Sequence, residues 1–206
     1  MNDDVSTLAD WIAASPSTVF FGGAGVSTES GIPDFRGANG FYFQEREIPL
    51  ETVLSIDFFE RHPQAYWEWF HEIYRPVEPN GAHRALASLE AAGRLDAVIT
   101  QNIDGLHQRA GSRTVWELHG NWERLVCARC GTVASLGDAV TVDGDPAPAC
   151  PSCTSQMRPD IVMYGEALDQ GVIEAAVSAI ARASVLIVAG TSLVVYPAAG
   201  LINYFS

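Results

Sequence analysis

Three short apolar runs constrain the fold of this chain more than any other feature of its sequence. They cover residues 18–21, 96–100 and 184–189, and helical patterns of apolar residues precede the second and third runs, at 83–92 and 172–183. Strands this apolar have no polar side to turn towards water, so they are typical of a parallel sheet with helices on both faces. The sequence therefore predicts an α/β fold.

Small or polar residues follow each run, at 22–25, 100–102 and 189–192. In open α/β sheets the ligand binds outside the carboxyl ends of the strands, so we expect the functional site at these three junctions. Glycines in the first junction, Gly23 and Gly25, would let the backbone approach a pyrophosphate and donate N–H groups to it. The loop lacks the third glycine of the full dinucleotide motif, so a plain tight turn is an equally good interpretation.

An excess of acidic side chains argues against one class of partner. The 206 residues include 25 Asp and Glu but only 12 basic residues, all of them Arg, and the formal net charge is −13. A surface this acidic repels phosphate, so nucleic acid is not an expected partner. The sequence has no apolar run of about 18 residues and no basic N-terminal flank. We therefore expect no membrane span and no secretory signal, and predict a cytoplasmic protein.

Four cysteines form two Cys-x2-Cys pairs, separated by nineteen residues: Cys127, Cys130, Cys150 and Cys153. This is the spacing of a four-thiolate zinc ribbon, and Zn²⁺ accepts four sulfur ligands in a tetrahedron. Because four protein ligands leave no open position for water, the single predicted ion is structural. Two disulfides or four buried thiols are the alternatives, and a reducing cytosol disfavours the first of them.

Polar residues cluster in three further stretches, at 31–37, 100–107 and 117–120. Taken singly, each has a plain structural interpretation, since Asp34 and Asp104 can cap helices and a lone histidine such as His119 is usually a core residue. Together with the cysteines, the stretches resemble the sirtuins, a family of NAD-dependent protein lysine deacylases, and look most like its bacterial and archaeal branches. The resemblance extends over 23–37, 100–107, 118–120, the two cysteine pairs, 158–166 and 190–197.

This resemblance implies a domain organisation. Residues 1–32, 81–120 and 167–206 would form a lobe around a Rossmann-like parallel sheet. A helical insertion (33–80) and a zinc-binding module (121–160) would form the small lobe. The whole chain, 1–206, would be one catalytic domain that ends short of the family's usual C-terminus, where a further strand and a contact to adenosine normally follow.

The resemblance also implies which residues bind NAD. Asn102, Ile103 and Asp104 match the nicotinamide pocket, Phe35 would cover the ribose face that nicotinamide leaves, and Arg36 would place charge near the phosphates. The full set implied is Gly23, Ala24, Gly25, Thr28, Asp34, Phe35, Arg36, Gln101, Asn102, Ile103, Asp104, His119, Gly190, Thr191 and Ser192.

The reaction implied by the resemblance is removal of acetyl groups from protein lysines, giving nicotinamide, O-acetyl-ADP-ribose and free lysine. His119 and Asn102 would be catalytic, with His119 as the base that takes a proton from a ribose hydroxyl. An acetylated lysine peptide would pair as a strand between two segments: Val162, Met163, Tyr164, Gly165 and Glu166 on one side, Leu193 and Val194 on the other.

The acyl preference follows from one helix. Family members that take acidic acyl groups carry a Tyr-x-x-Arg pair there, whereas residues 66–73 contain no Arg and have Glu68 in that region, so we expect acetyl rather than succinyl groups. Two alternatives stay open: transfer of ADP-ribose to a protein, and a non-catalytic NAD-binding module, since the chain ends early. The sequence does not indicate an oligomeric state.

Overall fold

The computed structural model describes residues 3–35, 37, 40, 48–139 and 145–206. Its helices and strands are short, and the longest helix has 13 residues. None of the helices in these ranges combines the length and the hydropathy that a membrane crossing requires. In chain order the strands are β1 (Thr18–Gly22), β2 (Ala97–Thr100), β3 (Val115–Glu117), β4 (Gly120–Val126), β5 (Val133–Ser135), β6 (Arg158–Ile161) and β7 (Val185–Ala189). The α-helices are α1 (Asp3–Ala14), α2 (Leu50–Val53), α3 (Ile56–Arg61), α4 (Pro63–Ile73), α5 (Gly81–Ala91), α6 (Leu106–Arg109) and α7 (Gln170–Arg182).

A parallel sheet in the order β3-β2-β1-β7 forms the first of two structural layers with its own core. The side chains of β1 alternate between the two faces of this sheet, as strand geometry requires. Val19 and Phe21 share one buried cluster with Ile180 of α7, and Phe20 shares another with Leu86 of α5; together these clusters form the core of the sheet. Helices therefore cover both faces of β1, which confirms the predicted α/β fold with a Rossmann-like sheet.

The strand β7 differs from the two central strands. All residues of β1 and β2 are buried, but every residue of β7 is at least partly exposed, and Val188 is 40% exposed. Within the described residues β7 pairs only with β1 and so lies at the edge of the sheet. Leu186 and Ile187 of β7 nevertheless pack against the buried clusters on opposite faces of the sheet, so both faces of this strand are covered as expected, but less completely than those of β1 and β2.

A second core lies between the helices α2–α4 and the segment that carries the cysteines. That segment forms an antiparallel sheet in the order β5-β4-β6. Trp67 and Phe70 of α4 share one buried cluster with Trp122 and Leu125 of β4 and with Met157. The aromatic helices and the cysteine module thus stabilise each other, because each buries its apolar face against the other.

Candidate active site and metal centre

The four parallel strands end in register, which brings the loops that follow them together. Gly22 pairs with both Thr100 and Ala189, and Thr100 pairs with Glu117. The residues just beyond these ends include the glycine loop, Gln101, His119 and Gly190. The tertiary structure therefore gathers the three predicted junctions, and the end of β3, at one edge of the sheet.

Close contact between two loops accounts for the glycines after β1. The N–H of Gly25 donates to the carbonyl of Gly190 at 2.8 Å. A Cβ atom on Gly23 would lie 2.8 Å from Cβ of Thr191, and one on Gly25 would lie 2.9 Å from Cα of Gly190. The sequence predicts that these glycines let a pyrophosphate approach the backbone. The structure adds a second physical reason for glycine at these positions, because the loop after β7 packs too closely to leave room for a side chain.

The remaining residues of these loops are more open to solvent. The chain from Ala24 to Ser30 forms a 3₁₀ helix, in which Ala24 is half-buried and Thr28 is exposed. The side-chain amide of Gln101 donates to Oγ1 of Thr191 at 2.9 Å, and Ser192 is exposed. The predicted contacts Gln101 and Thr191 thus lie in the loops after two different strands, β2 and β7, and form a hydrogen bond with each other.

A buried polar cluster lies behind this edge, formed by Ser27, His83, Asn102 and Asp104. The hydroxyl of Ser27 donates to Oδ2 of Asp104 at 2.6 Å and accepts from Nδ2 of Asn102 at 3.0 Å. The other carboxylate oxygen of Asp104 accepts from the N–H of Leu106 at 3.0 Å. The carboxylate and the amide predicted for a nicotinamide pocket are therefore both held by one serine hydroxyl.

The hydrogen bonds of His83 fix its tautomer. The backbone N–H of Asn80 donates to Nδ1 of His83 at 3.3 Å, so the proton of the neutral ring lies on Nε2, which is 3.5 Å from Oγ of Ser27. Burial is the main cause that lowers the pKa of His83, and the Asp104 carboxylate opposes it only in part. Sequence reasoning gave no role to Ser27 or His83, because nothing local to either residue indicates that they meet.

His119 follows β3 by two residues and is partly buried. Its Nδ1 donates to the backbone carbonyl of Gln101 at 2.8 Å, because a carbonyl oxygen can only accept. The neutral ring therefore carries its proton on Nδ1, and Nε2, which has no partner among the described residues, is an open acceptor. Burial lowers the pKa of His119, and the bond to Gln101 opposes this in part. Because its pKa is lowered from 6.5, the ring is neutral at pH 7, and Nε2 carries no proton there.

The four remaining predicted cofactor residues are Asp34, Phe35, Arg36 and Ile103. Oδ1 of Asp34 accepts from the N–H of Gly37 at 2.7 Å, so this carboxylate closes a local turn. Phe35 is half-buried, and Arg36 lies outside the described residues. Ile103 packs against the second core, and its carbonyl accepts from the N–H of Trp122 at 2.9 Å.

The predicted peptide-binding segment 162–166 is anchored close to His119. The N–H of Val162 donates to the carbonyl of His119 at 2.9 Å, while Met163 is buried and Tyr164 and Gly165 are exposed. In the second predicted segment Leu193 has a positive φ of 54° and Val194 is 52% exposed.

The four cysteine sulfurs form a cluster that fits a metal ion. All four Sγ atoms lie within 4.8 Å of one another, and the pairs Cys127–Cys153 and Cys130–Cys150 are 3.5 and 3.6 Å apart. Zinc at about 2.3 Å from each of four tetrahedral sulfurs separates them by about 3.8 Å, which agrees with this cluster. The thiols are free, so the disulfide alternative is wrong.

Two turns of the same design present the sulfurs. The N–H of Gly131 donates to the carbonyl of Cys127, and the N–H of Thr154 donates to that of Cys150, both at 2.9 Å. Gly131 and Thr154 also share a positive φ, of 72° and 61°. Each Cys-x2-Cys pair is therefore one tight turn closed by the residue that follows it.

Fold and site together define a class: an α/β protein with a polar site at the strand ends and a four-cysteine metal centre beside a second core. A sequence model of the Sir2 family matches residues 23–197. The chain belongs to the Sir2 family.

Individual relatives agree with this assignment. An NAD-dependent protein deacetylase of Clostridium perfringens is 49% identical over all of this chain and 85% of its own length. Two solved structures also match, each covering 97% of this chain and 81% of the other. One is Sir2 with a p53 peptide and NAD⁺ (45% identity, TM-score 0.84). The second is a Sir2 variant with deacetylated p53 peptide and 3'-O-acetyl ADP-ribose (45% identity, TM-score 0.87).

Proposed function

We propose that this chain removes acetyl groups from lysine side chains of proteins or peptides in an NAD-dependent reaction. One water molecule is consumed, and the products are nicotinamide, O-acetyl-ADP-ribose and free lysine. The observation that carries the proposal is His119, whose Nδ1 proton is held by the carbonyl of Gln101 at 2.8 Å while Nε2 stays available to accept a proton. The names of the similar proteins support the same activity.

The residues have separate tasks in this proposal. NAD, as co-substrate, supplies the ribose that accepts the acetyl group when nicotinamide leaves. His119 takes the proton from a ribose hydroxyl through Nε2. Asn102 and Asp104, held in place by Ser27, orient the carboxamide of nicotinamide through one donor and one acceptor. Phe35 excludes water from the reacting face of the ribose.

The other predicted NAD contacts remain part of the proposal. Around the phosphates and riboses it assigns Gly23, Ala24, Gly25, Thr28, Asp34, Arg36, Gln101, Gly190, Thr191 and Ser192. Ile103 completes the nicotinamide pocket. The lysine peptide pairs with 162–166 and 193–194. The zinc ion, held by the four cysteines, would fix the small lobe and takes no part in the chemistry.

Two coarser features are also proposed. Residues 1–32, 81–120 and 167–206 would form one lobe, and 33–80 with 121–160 the other; the separate buried clusters support this division. A cytoplasmic location is supported by the four free thiols, because closely spaced cysteines in secreted proteins are usually oxidised to disulfides.

An acetylated lysine peptide tests the activity directly. Incubated with the protein and NAD, it should lose the mass of one acetyl group; omission of NAD should abolish this loss, and His119→Ala should strongly slow it. The residual rate of His119→Ala should be lower by a factor of about 100 or more, the usual contribution of a general base. The matched control is His62→Ala, which removes an exposed histidine from the start of α4 and should keep full activity.

Other outcomes would contradict the proposal. Loss of acetyl without NAD would indicate simple hydrolysis. A gain of one ADP-ribose on the peptide would favour ADP-ribosyl transfer. Binding of NAD without turnover of the acetylated peptide would favour a binding module.

A further inference from the structure

The side chains of Arg158 and Glu166 form an ion pair to which the proposed function gives no role, although Glu166 itself lies in the proposed peptide-binding segment. Arg158 begins β6, and Glu166 lies five residues beyond the end of that strand. Nη1 of Arg158 lies 2.7 Å from Oε1 of Glu166, and Nη2 lies 2.7 Å from Oε2. Both side chains are about three-quarters buried, at 23% and 25% exposure. Two parallel charged hydrogen bonds at low exposure make this a geometrically specific pair.

The same pair closes a turn in the chain. Oε2 of Glu166 also accepts from the N–H of Met163 at 2.9 Å, and the N–H of Glu166 donates to the carbonyl of Met163 at 3.0 Å. Nη2 of Arg158 donates further to the carbonyl of Ile161 at 3.1 Å. Burial acts to raise the pKa of Glu166, but the hydrogen bonds from Arg158 and Met163 outweigh it and lower the pKa.

One edge of this turn is occupied and the other is open. The N–H of Tyr164 donates to the carbonyl of Leu54 at 2.9 Å, and its carbonyl accepts from the N–H of Ile56 at 3.0 Å. Gly165 is exposed at a positive φ of 94°, and neither of its backbone polar groups has a partner within the described part of the chain. A peptide that pairs as a strand needs such unoccupied backbone groups.

We propose that Arg158 and Glu166 are positioning residues for the protein substrate. Their ion pair holds the turn 163–166 in the conformation that presents the N–H and C=O of Gly165 to an acetylated peptide. The inference rests on the proposed function and adds how its peptide site is kept in shape. Because the hydrogen bonds of the pair lie within residues 158–166, we expect an effect on peptide binding and none on NAD binding.

Steady-state kinetics of the purified zinc-loaded protein separate these effects. Glu166→Ala should raise KM for an acetylated peptide about tenfold, since it removes charge-assisted hydrogen bonds. KM for NAD and kcat should change less than about twofold. Glu166→Gln keeps an acceptor for the N–H of Met163 and should raise the peptide KM less. Arg158→Lys keeps the charge but loses the planar guanidinium that makes two parallel hydrogen bonds. Its peptide KM should therefore lie between those of wild type and Arg158→Ala.

A second ion pair of the same sheet provides the matched control. Arg124 of β4 pairs with Asp160 of β6 and with Glu117, and its hydrogen bonds do not reach the turn. Arg124→Ala should lower the melting temperature without raising the peptide KM. Should Glu166→Ala fail to fold, Glu166→Gln and Arg158→Lys carry the same comparison.

The outcomes separate this inference from the function on which it rests. Equal effects of the Glu166 and Arg124 variants on the peptide KM, or a parallel rise of KM for NAD, would overturn the inference and leave the activity standing. A wild-type protein that does not deacetylate the peptide would refute the proposed function and, with it, the acetylated peptide as substrate. A graded rise of the peptide KM alone, from Gln to Ala at position 166, would support the inference.

Discussion

Three buried or partly buried histidines lie near the strand ends, and their surroundings give them different properties. His83 is bound through Nδ1 to Asn80, and His119 through Nδ1 to Gln101, so their tautomers are opposite. His107 is fully buried, and within the described residues neither of its ring nitrogens has a hydrogen-bond partner. It meets the ring of His83 edge to face, with the centroids 4.7 Å apart. A charge on His107 would have no compensating partner.

This burial predicts a pH-dependent stability. Burial, aided by the neighbouring His83, lowers the pKa of His107 from 6.5 to about 3. Between these values the unfolded chain binds one proton more than the folded protein, so the free energy of unfolding falls as the pH falls. Between pH 8 and pH 5 the free energy of unfolding of His107→Leu should fall by about 2 kcal/mol less than that of wild type. Urea unfolding at the two pH values measures this difference. Parallel pH profiles of the two proteins would contradict the assignment, and His62→Leu, at an exposed position, should follow wild type.

At the scale of elements, the contact between the loops after β1 and β7 determines the shape of the site. Gly190 has a positive φ of 65°, and a Cβ atom there would lie 2.4 Å from the backbone nitrogen of Val26. Both partners in that contact are backbone, so neither can move aside as a flexible side chain would. The loops after β1 and β7 can therefore pack this closely only because Gly25 and Gly190 have no side chains.

Gly190→Ala tests this packing. We expect it to lower the free energy of unfolding by about 2 kcal/mol or more, because it adds both a clash and a strained φ. Gly81→Ala is the matched control, since Gly81 begins α5 at a negative φ and a Cβ atom there would meet nothing within 4 Å. This control should raise the stability by about 0.5 kcal/mol, because alanine has less freedom to lose on folding. Equal effects of the two variants in thermal unfolding would show that the loops do not pack as described.

At the scale of the whole molecule, the metal centre and the aromatic helices belong to one core. Cys127 and Cys150 lie in the same buried cluster as Trp67, Phe70 and Trp122. The parallel sheet has separate clusters around β1 and β2. Loss of the metal should therefore disturb the tryptophans of the second core first.

Removal of zinc by a chelator should change the tryptophan fluorescence and lower the stability by several kcal/mol, because structural zinc sites contribute about 10 kcal/mol or more to folding. Cys127→Ser should reproduce the change, and added zinc should reverse it only in wild type. The zinc content of each sample, measured in parallel, shows how much metal the chelator has removed. A protein that loses its zinc with unchanged fluorescence and unfolding would show that the second core stands without the ion.

Features encoded within a few neighbouring residues could be predicted from the sequence. The strands β1, β2 and β7 correspond to continuous apolar runs, and the metal centre to two local cysteine pairs. The strand β3 was not predicted, since its three residues are too few to form a pattern. The predicted helix at 172–183 corresponds to α7, and its Asp169 cap accepts from the N–H of Val172 at 2.9 Å.

The sequence by itself determined the α/β class, the four-cysteine cluster and the family resemblance, because periodicity, spacing and motifs are properties of neighbouring residues. Only the tertiary structure decided which side chains meet. Ser27 and Asp104 are 77 residues apart in the chain and 2.6 Å apart in space, and Gly25 packs on Gly190 across the sheet. The tautomers of His83 and His119 likewise depend on backbone groups of other segments. Such contacts arise from the register of the strands and the packing of the loops, and no local propensity encodes them.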